Sequence, residues 1–249
     1  LAQAAGERIR KLAVATRPQS NNPQAYQAIE MIAQEWRKLG LEIEIRPMPR
    51  QQQSEIVWRR RNEWDMTMWQ QIGRPERSDP DELVFNLFHS STAPTGYNYV
   101  GWISPEYDRV AEAQRVETDR ERRRALIRKA QEIVNDGQPY VFLVHPHQVH
   151  AFNKAQLGES SMVAQAGLGY RNIWTYLGAT PLGERKDLVL SASEPVQATH
   201  PLWVSGATDS WVTELIWDRI MRIGPDGLPQ PWAAEEVEVA ASGTEIDVT

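Results

Sequence analysis

A chain of 249 residues with 41% hydrophobic side chains is long enough for one large domain or two ordinary ones, and has apolar material for a real core. Its net charge of -6 argues against a nucleic-acid partner, because phosphate binding is driven by cationic faces that release counterions. The runs Arg59-Arg60-Arg61 and Arg122-Arg123-Arg124 read as solvated helix faces, and a chain without cysteine has no disulfides, thiolate metal sites or sulfur redox chemistry. No run approaches the roughly 18 apolar residues a membrane span needs, and no basic-then-apolar signal pattern opens the chain. The sequence begins at Leu1, which reads as a trimmed segment of something longer.

In chain order, Lys11–Thr16 reads as a buried strand, and Asn22-Pro23 is a helix start, with Asn as N-cap and Pro at the first helical position. Ala25, Ala28, Ile29, Ile32, Ala33, Trp36 and Leu39 share one helical face, and Gly40 supplies the stop. Leu41–Arg46 alternates apolar and polar, a strand covered on one face, so the opening is a βαβ unit expected to be right-handed and parallel. Residues 51–62 form a predicted helix through Ile56, Val57 and Trp58, and Trp64–Trp69 a third strand.

Asp79-Pro80-Asp81-Glu82, Ser104-Pro105-Glu106 and Thr118-Asp119-Arg120-Glu121 each cap a helix. The last of these helices carries Leu126, Ala130, Ile133 and Val134 and is closed by Gly137; Pro139–His145 then returns as an apolar strand. Gly183–Lys186 looks like a linker and Asp187–Ser193 like a strand. Trp211 to Ile220 marks a helix, Pro225-Asp226-Gly227 a turn, and Glu236–Ala240 with Thr244–Thr249 a hairpin.

Several motifs in this order resemble a known family, the cluster 5 extracytoplasmic solute-binding proteins of ABC transporters, which includes dipeptide-, oligopeptide- and nickel-binding members. They are Trp36-Arg37-Lys38-Leu39-Gly40-Leu41, Trp64-Asp65 through Trp69, Asp79-Pro80-Asp81 and Asn98-Tyr99-Val100-Gly101-Trp102-Ile103-Ser104-Pro105-Glu106-Tyr107-Asp108. They continue with Asp119, Arg123, Leu126, Ala130-Gln131-Glu132-Ile133 and Pro139-Tyr140-Val141-Phe142-Leu143. The tail from Asp187 is similar to the opening of the same family, through Leu188–Ser193, Glu214–Ile220, Gly224–Gly227 and Trp232–Glu236. The resemblance implies residues 1–155 as a closing lobe, 156–186 as a return segment and linker, and 187–249 as the start of a second module, in a tandem or permuted order. Peptide-binding members place an Asp three residues after the strand-end Trp, where it meets a peptide's ammonium group; Ile72 stands there in this chain.

Loops at the carboxyl ends of strands in an open α/β sheet are where ligands sit. The candidate ligand wall is therefore Trp69, Gln70, Gln71 and Arg74 with Tyr97, Asn98, Tyr99 and Trp102, offering aromatic planes, amides that both donate and accept, and one guanidinium fork. The competing reading makes Trp69 a cap on the core and Asn98 the cap of a turn. His145, His147 and His150 invite a nickel-type metal reading, but no carboxylate sits at a helpful spacing and Pro146 interrupts the strand, so ordinary strand-end histidines are expected. No P-loop, G-x-G-x-x-G, G-x-S-x-G or H-E-x-x-H is present.

The expectation is an α/β fold of the type II periplasmic-binding-protein kind, with a mixed, largely parallel sheet flanked by helices and a partial second αβ segment. By the resemblance it is a non-catalytic solute-binding component of an ABC importer, periplasmic or extracytoplasmic and peripheral to the membrane. It would capture a peptide or other small polar solute between two lobes and deliver it to permease subunits, with no cofactor and no metal. The alternative from another class is a protein-interaction module pairing through an incomplete sheet edge.

Overall fold

The computed structural model of the chain describes residues 9–71, 73–74, 77–147, 149–184, 187–192, 195–204, 206–240 and 242–249. Ile72, the position where the resemblance would have an Asp, lies outside them. The chain divides into two compact units. One holds the chain up to Gln71 together with Leu83–Tyr140, the other the segment ending at Glu82 together with Val141–Thr249.

The first unit is an α/β layer. Strand β1 (Leu12–Thr16) lies between β2 (Ile43–Pro47) and β3 (Met66–Thr67), both parallel to it, in the order β2-β1-β3. Helix α1 (Pro23–Lys38) connects β1 to β2, and α2 (Arg50–Trp58) lies on the path from β2 to β3. Because β1 has its partners on opposite sides, the two crossovers run in opposite directions, and right-handed crossovers then place their helices on opposite faces. The packing shows this residue by residue. Val14 faces Ile29 and Ala33 of α1, whereas its neighbour Ala15 faces Val57 of α2 with Met48 and Tyr99. Alternation along a strand sends successive side chains to opposite faces, so two adjacent buried residues serve two cores.

Local chemistry fixes the helix ends. The Asn22 carboxamide accepts from Ala25 N at 3.1 Å, with Pro23 at the first helical position. At the other end of α1, Gly40 takes φ +84°, a backbone that favours glycine. Helix α3 (Asp81–Phe88) begins where Asp79 Oδ1 accepts from Asp81 N at 2.8 Å. Ser104 caps α4 (Pro105–Val116) through Tyr107 N at 3.3 Å, and Asp119 caps α5 (Arg120–Gly137) through Arg122 N at 2.8 Å. Helices α3, α4 and α5 enclose Val84, Leu87, Phe88, Tyr107, Ala111, Ala130 and Val134, and the Tyr107 hydroxyl donates to Val84 O at 2.6 Å.

In the second unit, α6 (Ile173–Leu177) and α7 (Ala207–Ile216) accompany two antiparallel hairpins. These are β4 (Met221–Ile223) with β5 (Pro229–Pro231) and β6 (Val237–Val239) with β7 (Ile246–Val248). Gln165 Nε2 donates to Ile223 O at 2.8 Å and Trp174 Nε1 to the same carbonyl at 2.9 Å, which ties residues 165–174 to the β4–β5 hairpin. The Pro225-Asp226-Gly227 turn closes that hairpin with Gly227 at φ +83°. Gly73 packs so closely on Gly167 that a Cβ would lie 2.5 Å from the Gly167 carbonyl oxygen.

Four expectations are corrected. The third strand is Met66–Thr67 alone, because β1 offers it a ladder only at Val14 and Ala15. The helix expected over 51–62 ends at Trp58. Residues 141–147 and 187–192 form no ladder and are exposed, since an apolar run becomes a strand only where an edge accepts it; Ser193 lies outside the described residues. Gly137 is the last residue of α5, and the left-handed cap falls one residue later. Gln138 takes the left-handed conformation (φ 47°) instead, while a Cβ on Gly137 would lie 2.7 Å from Cζ2 of Trp102.

Candidate ligand-binding wall

At the carboxyl ends of β1 and β3 the backbone is pinned by one buried amide. Gln53, in the first turn of α2, sends Nε2 to Thr67 Oγ1 at 3.1 Å, to Ala15 O at 3.4 Å and to Met68 O at 3.5 Å. Thr67 Oγ1 in turn donates to Ala15 O at 2.9 Å. The end of β3 is thereby held against β1, and the chain leaves it through Met68 into Trp69.

Trp69 enters a group of four rings. Its centroid is 5.6 Å from that of Trp58 and 6.4 Å from that of Tyr99. Trp58 and Tyr99 lie parallel at 5.8 Å and 7°, and Tyr97 meets both edge-on, at 6.0 Å from Trp58 and 5.9 Å from Tyr99. Offset-parallel and edge-to-face pairs at these separations match negative ring faces to positive edges and add about 0.5–1.5 kcal/mol each beyond burial. Tyr99 is buried and Tyr97 is 45% exposed, so the group has an inner, structural side and an outer side open to solvent.

A guanidinium fastens the loop that brings the tyrosines here. Arg61, just past α2, donates from Nε to Trp58 O at 3.0 Å, from Nη1 to Asn98 O at 3.2 Å and from Nη2 to Gly96 O at 2.8 Å. Asn98 holds the same loop from within. It is fully buried; its Nδ2 donates to the carbonyls of Trp102 (2.7 Å), Phe88 (3.3 Å) and His89 (3.3 Å), and its Oδ1 accepts from Trp102 N at 3.1 Å.

The eight residues expected to form the wall therefore separate. Trp69, Tyr97 and Tyr99 meet in one ring group, followed by the exposed Gln70 and Gln71. Asn98 is an internal brace, as its turn-capping alternative had it. Trp102 packs in the α3–α5 core against Phe88 at 6.3 Å and Tyr107 at 5.2 Å. Arg74 belongs to the second unit. Trp58, which contacts Trp69, Tyr97 and Tyr99, figures in the sequence only as a residue of the helix through Ile56, Val57 and Trp58; its place in the group depends on a loop some 40 residues downstream, and helical spacing carries no signal of it.

The Arg10 guanidinium beside Asp65, helped by the Ala13 N–H, holds that carboxyl below its ordinary range, and burial pushes the Tyr140 hydroxyl up to about 12. What the ring group offers is apolar faces, amides and shape. In the second unit His150 meets Tyr170 edge-on at 5.8 Å, and among the described residues no group of three or more His, Asp or Glu is placed to hold a metal. No helix among the described residues is long and apolar enough to cross a membrane.

No family model matches the chain. It is 26% identical to the dipeptide-binding protein of Escherichia coli over 125 residues, half of this chain and 22% of that protein. To the di/tripeptide-binding protein 2 of Pseudomonas aeruginosa it is 28% identical over 92 residues, 37% of this chain and 17% of that protein. Among solved structures, the oligopeptide-binding protein AppA of Bacillus subtilis, in complex with a nonapeptide, is 20% identical, with a TM-score of 0.46 over 52% of this chain and 24% of that one. The chain spans less than a quarter of the length of the curated relatives it matches. Half of it is thus similar in sequence to bacterial proteins whose names describe them as peptide-binding.

Proposed function

We propose that the chain is a non-catalytic peptide-capturing component of an ABC importer, working outside the cytoplasmic membrane and handing its solute to permease subunits. The observation that carries this reading is the ring group of Trp58, Trp69, Tyr97 and Tyr99 at the carboxyl end of the parallel sheet, flanked by Gln70 and Gln71. The sequence similarity to dipeptide- and di/tripeptide-binding proteins supports it.

Physically, the carboxyl ends of β1 and β3 are where an open α/β sheet presents loops to a ligand, because the crossovers there run in opposite directions. Ring faces bury apolar side chains at about 25 cal/mol per Å², while exposed carboxamides match both the N–H and the C=O of a peptide unit. Capture by such a surface selects a bound state through differential contacts and needs no bond to be made or broken.

A thermal-shift screen of di-, tri- and oligopeptides tests this. A ligand at a hundred times its Kd stabilises by about 2.7 kcal/mol, which for a chain of this size raises Tm by roughly 5–10 °C. Stabilisation by peptides and not by free amino acids or sugars supports the reading; no response to any peptide length overturns it.

A further inference from the structure

The four rings at the carboxyl end of the sheet are held in set orientations. Trp58 and Tyr99 are 7° from parallel, Tyr97 stands at 88° and 86° to them, and Trp69 is inclined to them at 57° and 54°. Each is also fastened by something other than its ring neighbours. Tyr99 is buried in a cluster with Ala15, Met48 and Val57, against which Trp58 packs. The Arg61 guanidinium holds the carbonyls on either side of Tyr97, those of Gly96 and Asn98, and Gln53 holds the Met68 carbonyl next to Trp69.

Exposure decides which of these rings a ligand meets first. Tyr99 is buried, Trp58 and Trp69 are half-buried, and Tyr97 is the most exposed of the four. Tyr97 meets the parallel pair edge-on and still keeps much of its ring in water.

Ring surface distinguishes ligands by more than size. An apolar side chain of any kind gains from covering it in proportion to area. An aromatic side chain gains in addition, because negative ring faces and positive edges attract when rings meet offset or edge-on. Here planes of three inclinations lie with centroids 5.6–6.4 Å apart and are anchored. A ring entering beside Tyr97 therefore finds faces and edges already set, and the protein loses little side-chain freedom in meeting it. We propose that the ring group selects peptides carrying an aromatic side chain over peptides carrying an aliphatic one of the same size, with Tyr97 the ring that makes the distinction. This inference rests on the peptide-binding reading above and deepens it.

The test is calorimetric titration of the 249-residue chain with alanine tripeptides in which one position, each of the three in turn, carries phenylalanine or its saturated counterpart cyclohexylalanine. The two side chains share a carbon skeleton and the saturated one is the more apolar. Burial alone thus favours cyclohexylalanine, while ring electrostatics favours phenylalanine. At the position that reaches the ring group, the phenylalanine peptide is expected to bind roughly three- to tenfold tighter. In Tyr97→Leu, which keeps apolar bulk and loses the ring, the two are expected to bind within twofold of each other. Cyclohexylalanine peptides that bind as tightly as their phenylalanine partners at all three positions overturn the inference while leaving peptide binding intact. A phenylalanine preference of the same size in Tyr97→Leu also overturns it, because aromatic recognition then lies elsewhere. Binding of none of the peptides removes the underlying reading and the inference with it.

Discussion

The indole of Trp58 and the phenol of Tyr99 lie face to face, 5.8 Å between centroids and 7° from parallel, joining the last residue of α2 to a loop that enters the chain some 40 residues later. Neither ring reaches this position through its own helix or turn. Arg61 and Asn98 set the loop, and Gln53 sets the sheet end beneath it.

The pair should be energetically coupled. A double-mutant cycle of Trp58→Ala and Tyr99→Ala, read by urea denaturation, is expected to give a coupling of about 1 kcal/mol, since aromatic pairs contribute about 0.5–1.5 kcal/mol beyond area. Strictly additive losses would show that the rings touch without holding each other.

Asn98→Ala should be among the more damaging single changes. It leaves Trp102 N without its acceptor and the Phe88 and Trp102 carbonyls without the Asn98 donor, while the His89 carbonyl keeps Thr92 N and Oγ1. Stranding such groups costs about 1–3 kcal/mol each, so Tm is expected to fall by at least 5 °C. A variant as stable as the parent would contradict the bracing role.

Gly137→Ala sets helix propensity against packing. Alanine at the end of α5 gains at most the roughly 1 kcal/mol it has over glycine in a helix interior, but its Cβ would lie 2.7 Å from Cζ2 of Trp102 and 3.3 Å from Cε2. Overpacking of this kind costs about 1–3 kcal/mol, so the net change is expected to be destabilising in chemical denaturation. In a double-mutant cycle, the loss caused by Gly137→Ala should be smaller in a Trp102→Leu background, where the indole that the Cβ meets is gone.

Asp65 gives a pH dependence of known sign. The Arg10 side chain, first, and the Ala13 N–H lower its folded pKa below the unfolded value. A depressed carboxyl contributes stability that is present above the unfolded pKa, near 3.9, and is lost as pH falls through the folded value. Asp65→Asn should therefore be less stable than the parent at pH 6, with the difference shrinking below about pH 4; equal stabilities at both ends would contradict the linkage.

Much of the scaffold was legible because its signals are local. Asn22-Pro23, Ser104-Pro105 and Asp119 cap the helices they announce, Leu41–Arg46 alternates as a half-covered strand must, and Pro225-Asp226-Gly227 turns where its residue types require. What failed depends on partners elsewhere in the chain. Pro139–His145 has a strand's composition, yet residues 141–147 have no ladder. Trp69 was singled out by its place after a strand and Tyr97 and Tyr99 by the motif of the resemblance around Asn98, whereas Trp58 sits on a helix whose sequence carries no sign of the rings it meets.

The most direct test of the ring group as a ligand wall is titration of a bound tripeptide against three forms of the chain: parent, Trp69→Ala, and Trp203→Ala, a tryptophan that is 74% exposed in the second unit. With circular dichroism unchanged, Trp69→Ala is expected to weaken binding at least tenfold, the loss of one well-used aromatic face at about 1.4 kcal/mol or more, while Trp203→Ala stays within twofold of the parent. Affinity for Trp69→Ala within twofold of the parent would contradict the account.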